Sequence, residues 1–323
     1  MNVLVTGATG FVGGRLVDHL LARGDTVTAL VRSPDRAAPL SERGVRLIAG
    51  DLANHDALAT AVTGQDVIYH VAGLVGAIDE AEFMAANRDG TANVARAARD
   101  AAVRPRFVLI SSMAAGGPSR RGMPKTADGL NAPVTAYGRS KLAGESALTA
   151  IIPDAVIVRP PVVYGPGDRD GLLPLFKAAR YGIAPMLGDG TMEISLIHVA
   201  DLADAIILAA TTADLCGVYY VNHPAPTTSA ELARAVAREM QQRPLLLRVP
   251  RWLAVVILAI TGAWSRVMHQ KTILHPDKIH EFFQEAWTAD PSPFMARTGW
   301  SAVWDLPRGL ADTAAWYRNA HWL

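Results

Sequence analysis

The sequence has a single cysteine, Cys216, among its 323 residues. One thiol cannot form an intrachain disulfide, and such a composition is typical of a reducing, cytoplasmic compartment. The net charge is close to zero, because the sequence has 31 lysines and arginines and 30 aspartates and glutamates. This balance argues against nucleic-acid binding, which needs a basic patch or stripe. We also expect no secretory signal peptide, since an apolar strand pattern already begins at residue 2.

Long apolar runs are scarce, and only residues 252–264 raise the question of a membrane. Arg251 and Arg266 bracket 14 uncharged residues there, whereas a membrane-spanning helix needs about 20. We therefore predict no transmembrane span and a helix buried within the protein. The alternative is an apolar patch that contacts a bilayer or admits a hydrophobic substrate.

Clusters of metal ligands are absent from the sequence as well. His70 and His198 are not accompanied by a group of Cys, His and Asp residues, and His275 and His280 are five residues apart. That spacing does not place two side chains on one helix face. Because a metal site needs several such ligands, we predict none.

Short apolar runs alternate with helical patterns along the first two thirds of the chain. The runs cover residues 2–6, 26–31, 45–49, 67–71, 107–111 and 155–159. This alternation predicts an α/β fold with a doubly wound parallel sheet. Ligands of such sheets bind beyond the carboxyl ends of the strands.

Proline and glycine mark the expected boundaries. We predict a dinucleotide-binding domain over residues 1–165 and 195–222, and a smaller, mostly helical substrate domain over residues 166–194 and 223–323. Residues 116–133 are rich in glycine, proline and basic side chains. They predict a long surface loop, a feature that is often functional inside a compact domain.

The first strand is followed at once by Gly7, Gly10 and Gly13 and then by a helical pattern. Strand, glycine turn and helix together direct backbone N–H groups and a helix N-terminus at a pyrophosphate. Gly7 would permit the tight turn, Gly10 the close approach of the backbone, and Gly13 the packing of helix on strand. A purely structural turn is the alternative.

Tyr137 and Lys141 lie four residues apart, which places them on the same face of a helix. A free tyrosine has a pKa of about 10. A neighbouring positive charge lowers this pKa by stabilising the phenolate. The pair therefore predicts an acid/base for a carbonyl or an alcohol. The same spacing also occurs on ordinary helices, so the motif depends on its context.

These motifs together resemble the extended short-chain dehydrogenase/reductase family, within the NAD-dependent epimerase/dehydratase superfamily. The resemblance rests on Thr6-Gly7-x-x-Gly10-x-x-Gly13, Gly50-Asp51-Leu52, His70-Val71-Ala72-Gly73, Asn87 before Gly90-Thr91, Ser112, Tyr137-x-x-x-Lys141, Arg159-Pro160 and His198-Val199-Ala200-Asp201-Leu202. It runs from residue 1 to about residue 222 and continues more loosely to the C-terminus. The family implies a Rossmann fold.

The resemblance implies a nicotinamide dinucleotide cofactor. Its expected contacts are Gly7, Thr9, Gly10, Phe11, Val12, Gly13, Arg32, Asp51, Leu52, Val71, Ala72, Gly73, Tyr137, Lys141 and Pro160. The second strand ends in Arg32 rather than in an acidic residue that would bind the ribose hydroxyls of NAD. Arginine matches a phosphate, so we predict NADP(H) in preference to NAD(H), with a merely solvated Arg32 as the alternative. Asp51 resembles the family residue that binds the adenine amino group, and a helix cap is its alternative role.

The resemblance also implies a catalytic set of Ser112, Tyr137, Lys141 and Asn87. Alignment on the fifth strand favours Ser112 over Ser111, although a serine at a strand end is commonly a turn residue. Lys141 is expected to lower the Tyr137 pKa and to bind the nicotinamide ribose. Asn87 is expected to support the proton relay, with an ordinary helix start as its alternative.

The segment from Ser111 to Pro118 is similar to dihydroflavonol-reductase-like and 3β-hydroxysteroid-dehydrogenase-like members. With the aromatic residues Trp252, Trp264, Trp287, Phe282 and Phe283, it favours a hydrophobic substrate, although core packing explains most such aromatics. We predict a ketone reductase or secondary-alcohol dehydrogenase. The alternatives are a nucleotide-sugar epimerase with bound NAD and a non-catalytic NADP(H)-binding sensor or assembly protein. By analogy with the family, we expect a homodimer through residues 87–102 and 136–150.

Overall fold

The structure, a computed structural model, describes residues 1–243, 245–268, 272–273 and 275–323, without the side chains of residues 187 and 265–267. Its strands are β1 (Asn2–Thr6), β2 (Thr26–Val31), β3 (Arg46–Ala49), β4 (Val67–His70), β5 (Arg106–Ile110), β6 (Val156–Arg159), β7 (Val162–Tyr164), β8 (Ile183–Leu187), β9 (Glu193–Ile194), β10 (Leu196–His198), β11 (Gly217–Tyr220), β12 (Thr227–Thr228), β13 (Leu245–Val249) and β14 (Ala286–Trp287).

The α-helices connect and cover these strands. They are α1 (Phe11–Ala22), α2 (Ala38–Ser41), α3 (His55–Val62), α4 (Glu80–Met84), α5 (Gly90–Asp100), α6 (Met113–Gly116), α7 (Ala136–Ile151), α8 (Leu173–Ala179), α9 (Val199–Thr211), α10 (Ser229–Glu239), α11 (Arg251–Met268), α12 (Ile279–Phe282), α13 (Ser292–Thr298) and α14 (Leu306–Asn319).

The central sheet has seven parallel strands in the order β11-β6-β5-β4-β1-β2-β3. All six strands predicted from the sequence are present, each within one residue of its expected bounds. Within residues 195–222, β11 forms an edge of this sheet, whereas β10 pairs with β7 outside it. The strand order reverses between β1 and β4, which is where this class of sheet opens a crevice for a dinucleotide.

Successive residues of β1 point to opposite faces of the sheet, as a strand requires. Val3 and Val5 belong to a core cluster with Leu16 and Leu20 of α1. Leu4 lies between them and belongs to the other cluster, with Leu58, Val94 and Leu148 from α3, α5 and α7. Helices therefore cover both faces, and the predicted doubly wound fold is confirmed.

A separate helical cluster lies beyond the sheet. It joins Phe176 of α8, Leu232 of α10 and Tyr317 of α14. Phe294 of α13 packs instead with the core of the central sheet. The division into two domains therefore stays a prediction.

Helix α11 differs from what the sequence predicted. Ala254 and Leu258 are buried, but Trp252 and Trp264 are 68% and 61% exposed. The expectation of a buried helix is wrong because only one side of α11 packs against the protein. Within the described residues, no helix is both long and apolar enough to cross a membrane.

Candidate active site

The glycine turn between β1 and α1 has the geometry that the sequence predicted. Gly7 has a φ of 75°, and a Cβ there would lie 2.7 Å from the Ala72 nitrogen. A Cβ on Gly13 would lie 2.1 Å from the Gly7 oxygen, so glycine is required for α1 to approach its strand. Gly10 is exposed and occupies the N-cap position of α1. The N-terminus of α1 has no side-chain cap. Its free backbone N–H groups and the positive end of the helix dipole suit a pyrophosphate.

A chain of polar contacts holds the neighbouring strand end in place. The Ala72 N–H donates to Thr6 Oγ1 at 3.2 Å, and Thr6 Oγ1 lies 2.7 Å from His70 Nδ1. His70 Nε2 lies 3.0 Å from Thr91 Oγ1. Burial, together with the nearby Lys141 charge, lowers the pKa of His70 to about 3, so the ring is neutral. His70 therefore links β4 to β1 and α5, and it positions Val71, Ala72 and Gly73 behind the glycine turn.

Arg32 and Asp51 both lie at the outer end of the predicted dinucleotide crevice. Arg32 is exposed directly after β2. Asp51 is exposed beyond β3, and its Oδ1 accepts from the Ala53 N–H at 2.9 Å. The N-cap of α3 is Asn54 rather than Asp51, so the alternative role of Asp51 as a helix cap is wrong. Leu52 follows, and its carbonyl accepts from Asn93 Nδ2 at 2.9 Å.

Tyr137 lies in the first turn of α7, whose start is fixed by a hydrogen bond from the Gly138 N–H to Thr135 Oγ1 at 3.2 Å. The Ser112 side chain lies near the Tyr137 hydroxyl and interacts with it, which lowers the Tyr137 pKa. Ser112 follows β5 and caps α6, accepting from the Ala114 N–H at 3.1 Å. The structure thus brings together a serine and a tyrosine that are distant in sequence.

The two serines after β5 have different surroundings. Ser111 is buried and donates a hydrogen bond to Glu145, whereas Ser112 is partly exposed beside Tyr137. The Met113 N–H donates to the Pro160 carbonyl at 2.8 Å, which joins this turn to the end of β6. Of the two hydroxyls, Ser112 has the contact with Tyr137 that the predicted chemistry needs.

The pKa of Tyr137 is higher than that of a free tyrosine. Burial, opposed by the interaction with Ser112 and reinforced by the Glu281 charge, raises its pKa to about 12. Lys141 is not among the groups that shift this pKa, so its expected lowering effect stays a prediction. The Tyr137 pKa is raised because removal from water destabilises the phenolate more than the neighbouring groups stabilise it.

Lys141 lies one turn after Tyr137 and is 8% exposed. Its Nζ donates to the Ile110 carbonyl at the end of β5, at 2.9 Å. Burial, opposed by the charge of Glu145, lowers the Lys141 pKa to about 8. A Cβ on Gly73 would lie 3.1 Å from Nζ, so Gly73 leaves room for the ammonium group between β4 and β5.

Asn87 is buried within a π-helical turn over Ala85–Asp89. Its Oδ1 accepts from the Leu74 N–H at 2.8 Å, and its Nδ2 donates to the Leu74 carbonyl at 3.0 Å and to Ser140 Oγ at 2.9 Å. Asn87 does not cap a helix, so that alternative is wrong. It instead joins the segment after Gly73 to α7, next to Lys141.

A C-terminal segment borders Tyr137, and sequence reasoning missed it. The Lys278 Nζ lies 5.9 Å from the centre of the Tyr137 ring, and it is 2.6 Å from Glu281 Oε2. Asp277 Oδ2 accepts from the Ala136 N–H at 2.7 Å. No periodic signal in the sequence predicts this contact, because it joins positions about 140 residues apart.

His198 has a structural environment. Its ring stacks on Trp304, with 4.3 Å between the centroids, and burial lowers its pKa to about 4. The neighbouring Asp201 accepts from the N–H groups of Val303 and Trp304. In the described parts of the chain, no three His, Cys, Asp or Glu side chains are grouped to hold a metal ion.

Comparison with known proteins agrees with this architecture. The profile described as "NAD dependent epimerase/dehydratase family" matches residues 3–221. The ceramide reductase of Caulobacter vibrioides is 35% identical over 323 residues, which cover 99% of this chain and 96% of that protein. The UDP-glucose 4-epimerase of Vibrio cholerae is 30% identical over 333 residues, which cover 99% of this chain and 96% of that protein.

A solved structure shows the same fold over its whole length. MoeE5, in complex with UDP-glucose and NAD, superposes with a TM-score of 0.80 at 26% identity. The match covers 99% of this chain and 100% of that one.

Proposed function

The chain belongs to the NAD-dependent epimerase/dehydratase family of NAD(P)-binding enzymes that act on CH–OH and C=O groups, and from this premise we propose a specific reaction. The protein interconverts a ketone and a secondary alcohol on a hydrophobic small molecule, with NADP(H) as the cofactor. The observation that supports the proposal is the proximity of the Ser112 and Tyr137 side chains at the carboxyl edge of the sheet. Lys141 and the glycine turn lie at the same edge.

We propose the following catalytic roles, which the contacts of each side chain support. A bound nicotinamide supplies or accepts the hydride. Ser112 donates a hydrogen bond to the substrate oxygen and holds it toward Tyr137. In reduction, Tyr137 gives its proton to that oxygen, and its raised pKa keeps the proton available at neutral pH. Lys141 provides positive charge beside the developing phenolate, and Asn87 positions α7 and the segment after Gly73.

The cofactor proposal rests on Arg32 at the tip of β2. Its exposed guanidinium lies where the adenosine ribose of a dinucleotide is bound in this class of sheet. Bidentate hydrogen bonds from arginine to a phosphate are strong, so a 2′-phosphate would gain more from Arg32 than a 2′-hydroxyl. The pyrophosphate is bound by the glycine turn, which consists of Gly7, Thr9, Gly10, Phe11, Val12 and Gly13. The other parts of the dinucleotide contact Asp51, Leu52, Val71, Ala72 and Pro160.

The hydrophobic substrate is favoured by the relative named ceramide reductase, which aligns along nearly the whole chain. The relative named UDP-glucose 4-epimerase, also aligned along nearly the whole chain, favours the second candidate, a nucleotide-sugar epimerase. A non-catalytic NADP(H)-binding protein is the third. It has the least support, because both Tyr137 and Lys141 are present on α7 and Lys141 reaches the end of β5.

One experiment separates these functions. The purified protein is denatured and its released nucleotides are identified, and the native protein is then titrated with NADPH and NADH and assayed for NADPH oxidation with a panel of hydrophobic ketones. We expect little retained NAD, tighter binding of NADPH, and turnover with at least one ketone. Retained NAD with interconversion of UDP-sugars would establish the epimerase instead. NADPH binding without turnover on ketones or UDP-sugars would support the sensor.

We also propose that residues 166–194 and 223–323 contribute the substrate-binding part, and that two copies associate through α5 and α7. Sedimentation equilibrium tests the association, and a monomeric species at all concentrations would contradict it.

A further inference from the structure

An exposed apolar stripe runs along α11. Trp252, Val256, Ile260 and Trp264 recur every four residues, which places them on one side of the helix. Their exposed fractions are 68%, 45%, 63% and 61%, respectively. A row of large apolar side chains with this exposure usually marks a binding surface.

The opposite side of α11 already has its partners within the protein. Ala254 and Leu258 form a buried cluster with Ile279, and Phe282 and Phe283 pack against it. The exposed stripe is therefore distinct from the side of α11 that packs against the protein. It is a second apolar side, and a helix that is apolar on both sides needs a second apolar environment.

The charge of this region has one sign. Residues 240–276 contain no aspartate or glutamate, and their lysines and arginines are Arg243, Arg248, Arg251, Arg266 and Lys271. The side chains of Arg243, Arg248 and Arg251 are exposed just before or at the start of α11. Leu245 and Leu247 lie between Arg243 and Arg248 in the chain and are 69% and 50% exposed. Exposed apolar and basic side chains therefore occur together in the segment that leads into α11.

We propose that this surface, formed by the stripe on α11 and the basic segment before it, binds to the surface of an anionic lipid bilayer. A helix in the plane of the interface buries its apolar side among acyl chains and places basic side chains among the headgroups. Tryptophan is favoured at this depth, and Trp252 and Trp264 stand at the two ends of the stripe. Basic side chains near an anionic membrane are attracted to it.

Charge favours a bilayer over a second copy of the chain as the occupant. A symmetric dimer brings the same patch of both copies together. Here that would bring together two surfaces of the same positive charge, and residues 240–276 contain no acidic residue to compensate. An anionic bilayer supplies the compensating charge.

The position of the surface relates it to the candidate active site. Ile279 and Phe282 pack against the buried side of α11, and Lys278 of the same segment lies over the Tyr137 ring. A bilayer bound to the outer side would therefore be separated from the segment that borders Tyr137 only by α11. If the proposed reaction is correct, this places the enzyme where a hydrophobic ketone accumulates, but binding to the bilayer does not depend on that reaction.

Vesicle cosedimentation of the 323-residue chain, without cofactor or substrate, tests the proposal. The probes are vesicles of phosphatidylcholine mixed with phosphatidylglycerol and vesicles of phosphatidylcholine alone. We expect the protein to bind the anionic vesicles more tightly, and added salt to weaken that binding. Changing Trp252→Ser together with Trp264→Ser should lower the partition coefficient by about tenfold or more. Changing Arg243→Gln together with Arg248→Gln should lower it about fivefold per arginine on anionic vesicles and much less on neutral ones.

The matched control is Val103→Ser with Val303→Ser, which removes two exposed apolar side chains elsewhere on the surface. We expect it to bind like the unchanged protein, and circular dichroism should show that every variant folds. Absence of vesicle binding, or equal binding by the tryptophan variant, would overturn the proposal. Concentration-dependent association that the tryptophan variant loses, without vesicle binding, would also overturn it and would assign the stripe to contact between copies. None of these readouts requires catalytic activity.

Discussion

The Glu145 carboxylate and the Arg159 guanidinium form a salt bridge behind the candidate active site, with 2.5 Å between Oε2 and Nη2. Their side chains are 5% and 1% exposed. Ser111 donates to Glu145, and Arg159 Nη1 donates to the Tyr220 hydroxyl at 3.0 Å. The pair therefore joins α7, which carries Tyr137 and Lys141, to the ends of β5, β6 and β11.

Loss of one partner of this salt bridge should be strongly destabilising. We expect Arg159→Met to lower the free energy of unfolding by about 3–5 kcal/mol, because it leaves the Glu145 carboxylate buried without a compensating charge. The double change Glu145→Leu with Arg159→Met should cost less than the single change. Urea denaturation measures both. A loss below about 1 kcal/mol for Arg159→Met would show that the pair contributes little beyond its packing.

The central sheet could be predicted because its signals are local. The buried parallel strands are short apolar runs, and the turn after β1 needs glycine at Gly7 and Gly13 for reasons of backbone geometry alone. The set of Ser112, Tyr137 and Lys141 came from the resemblance to a family, and its catalytic role stays a prediction.

Other features of the site and of α11 could not be predicted, because they depend on contacts between residues that are distant in sequence. The high pKa of Tyr137 results from burial and from Glu281, which is distant in sequence. The role of Asn87 depends on a π-helical turn that turns its amide toward Leu74. For α11, an apolar run predicts a helix but does not reveal which of two apolar sides the protein itself covers.

Arg32 should determine the choice between the two nicotinamide cofactors. We expect Arg32→Ala to weaken NADPH binding by about 10- to 100-fold, since hydrogen bonds to charged groups contribute about 1.5–3 kcal/mol, and to change NADH binding much less. Fluorescence titration with each nucleotide measures this. Arg104→Ala, which removes an exposed arginine paired with Asp154, is the control. Equal losses for both nucleotides would contradict the assignment.

Tyr137 should be required for proton transfer and not for cofactor binding. We expect Tyr137→Phe to lower turnover by about 10²–10⁴, the usual contribution of a positioned acid or base, while the NADPH dissociation constant stays nearly unchanged. Tyr181→Phe is the control, because Tyr181 is 78% exposed on another part of the surface. Wild-type turnover in Tyr137→Phe would show that another group delivers the proton.

Glu281 should shift the pH dependence of reduction through its charge near Tyr137. The negative charge raises the Tyr137 pKa, so Glu281→Gln lowers it, and the released Lys278 ammonium beside the ring lowers it further. Because reduction needs the protonated phenol, activity is present below this pKa and is lost as the pH rises through it. We therefore expect the alkaline fall of kcat/KM to move to lower pH in Glu281→Gln and to stay in place in Glu285→Gln, an exposed neighbour. A fall that moves to higher pH, or does not move, would show that Glu281 has no electrostatic influence on the proton donor.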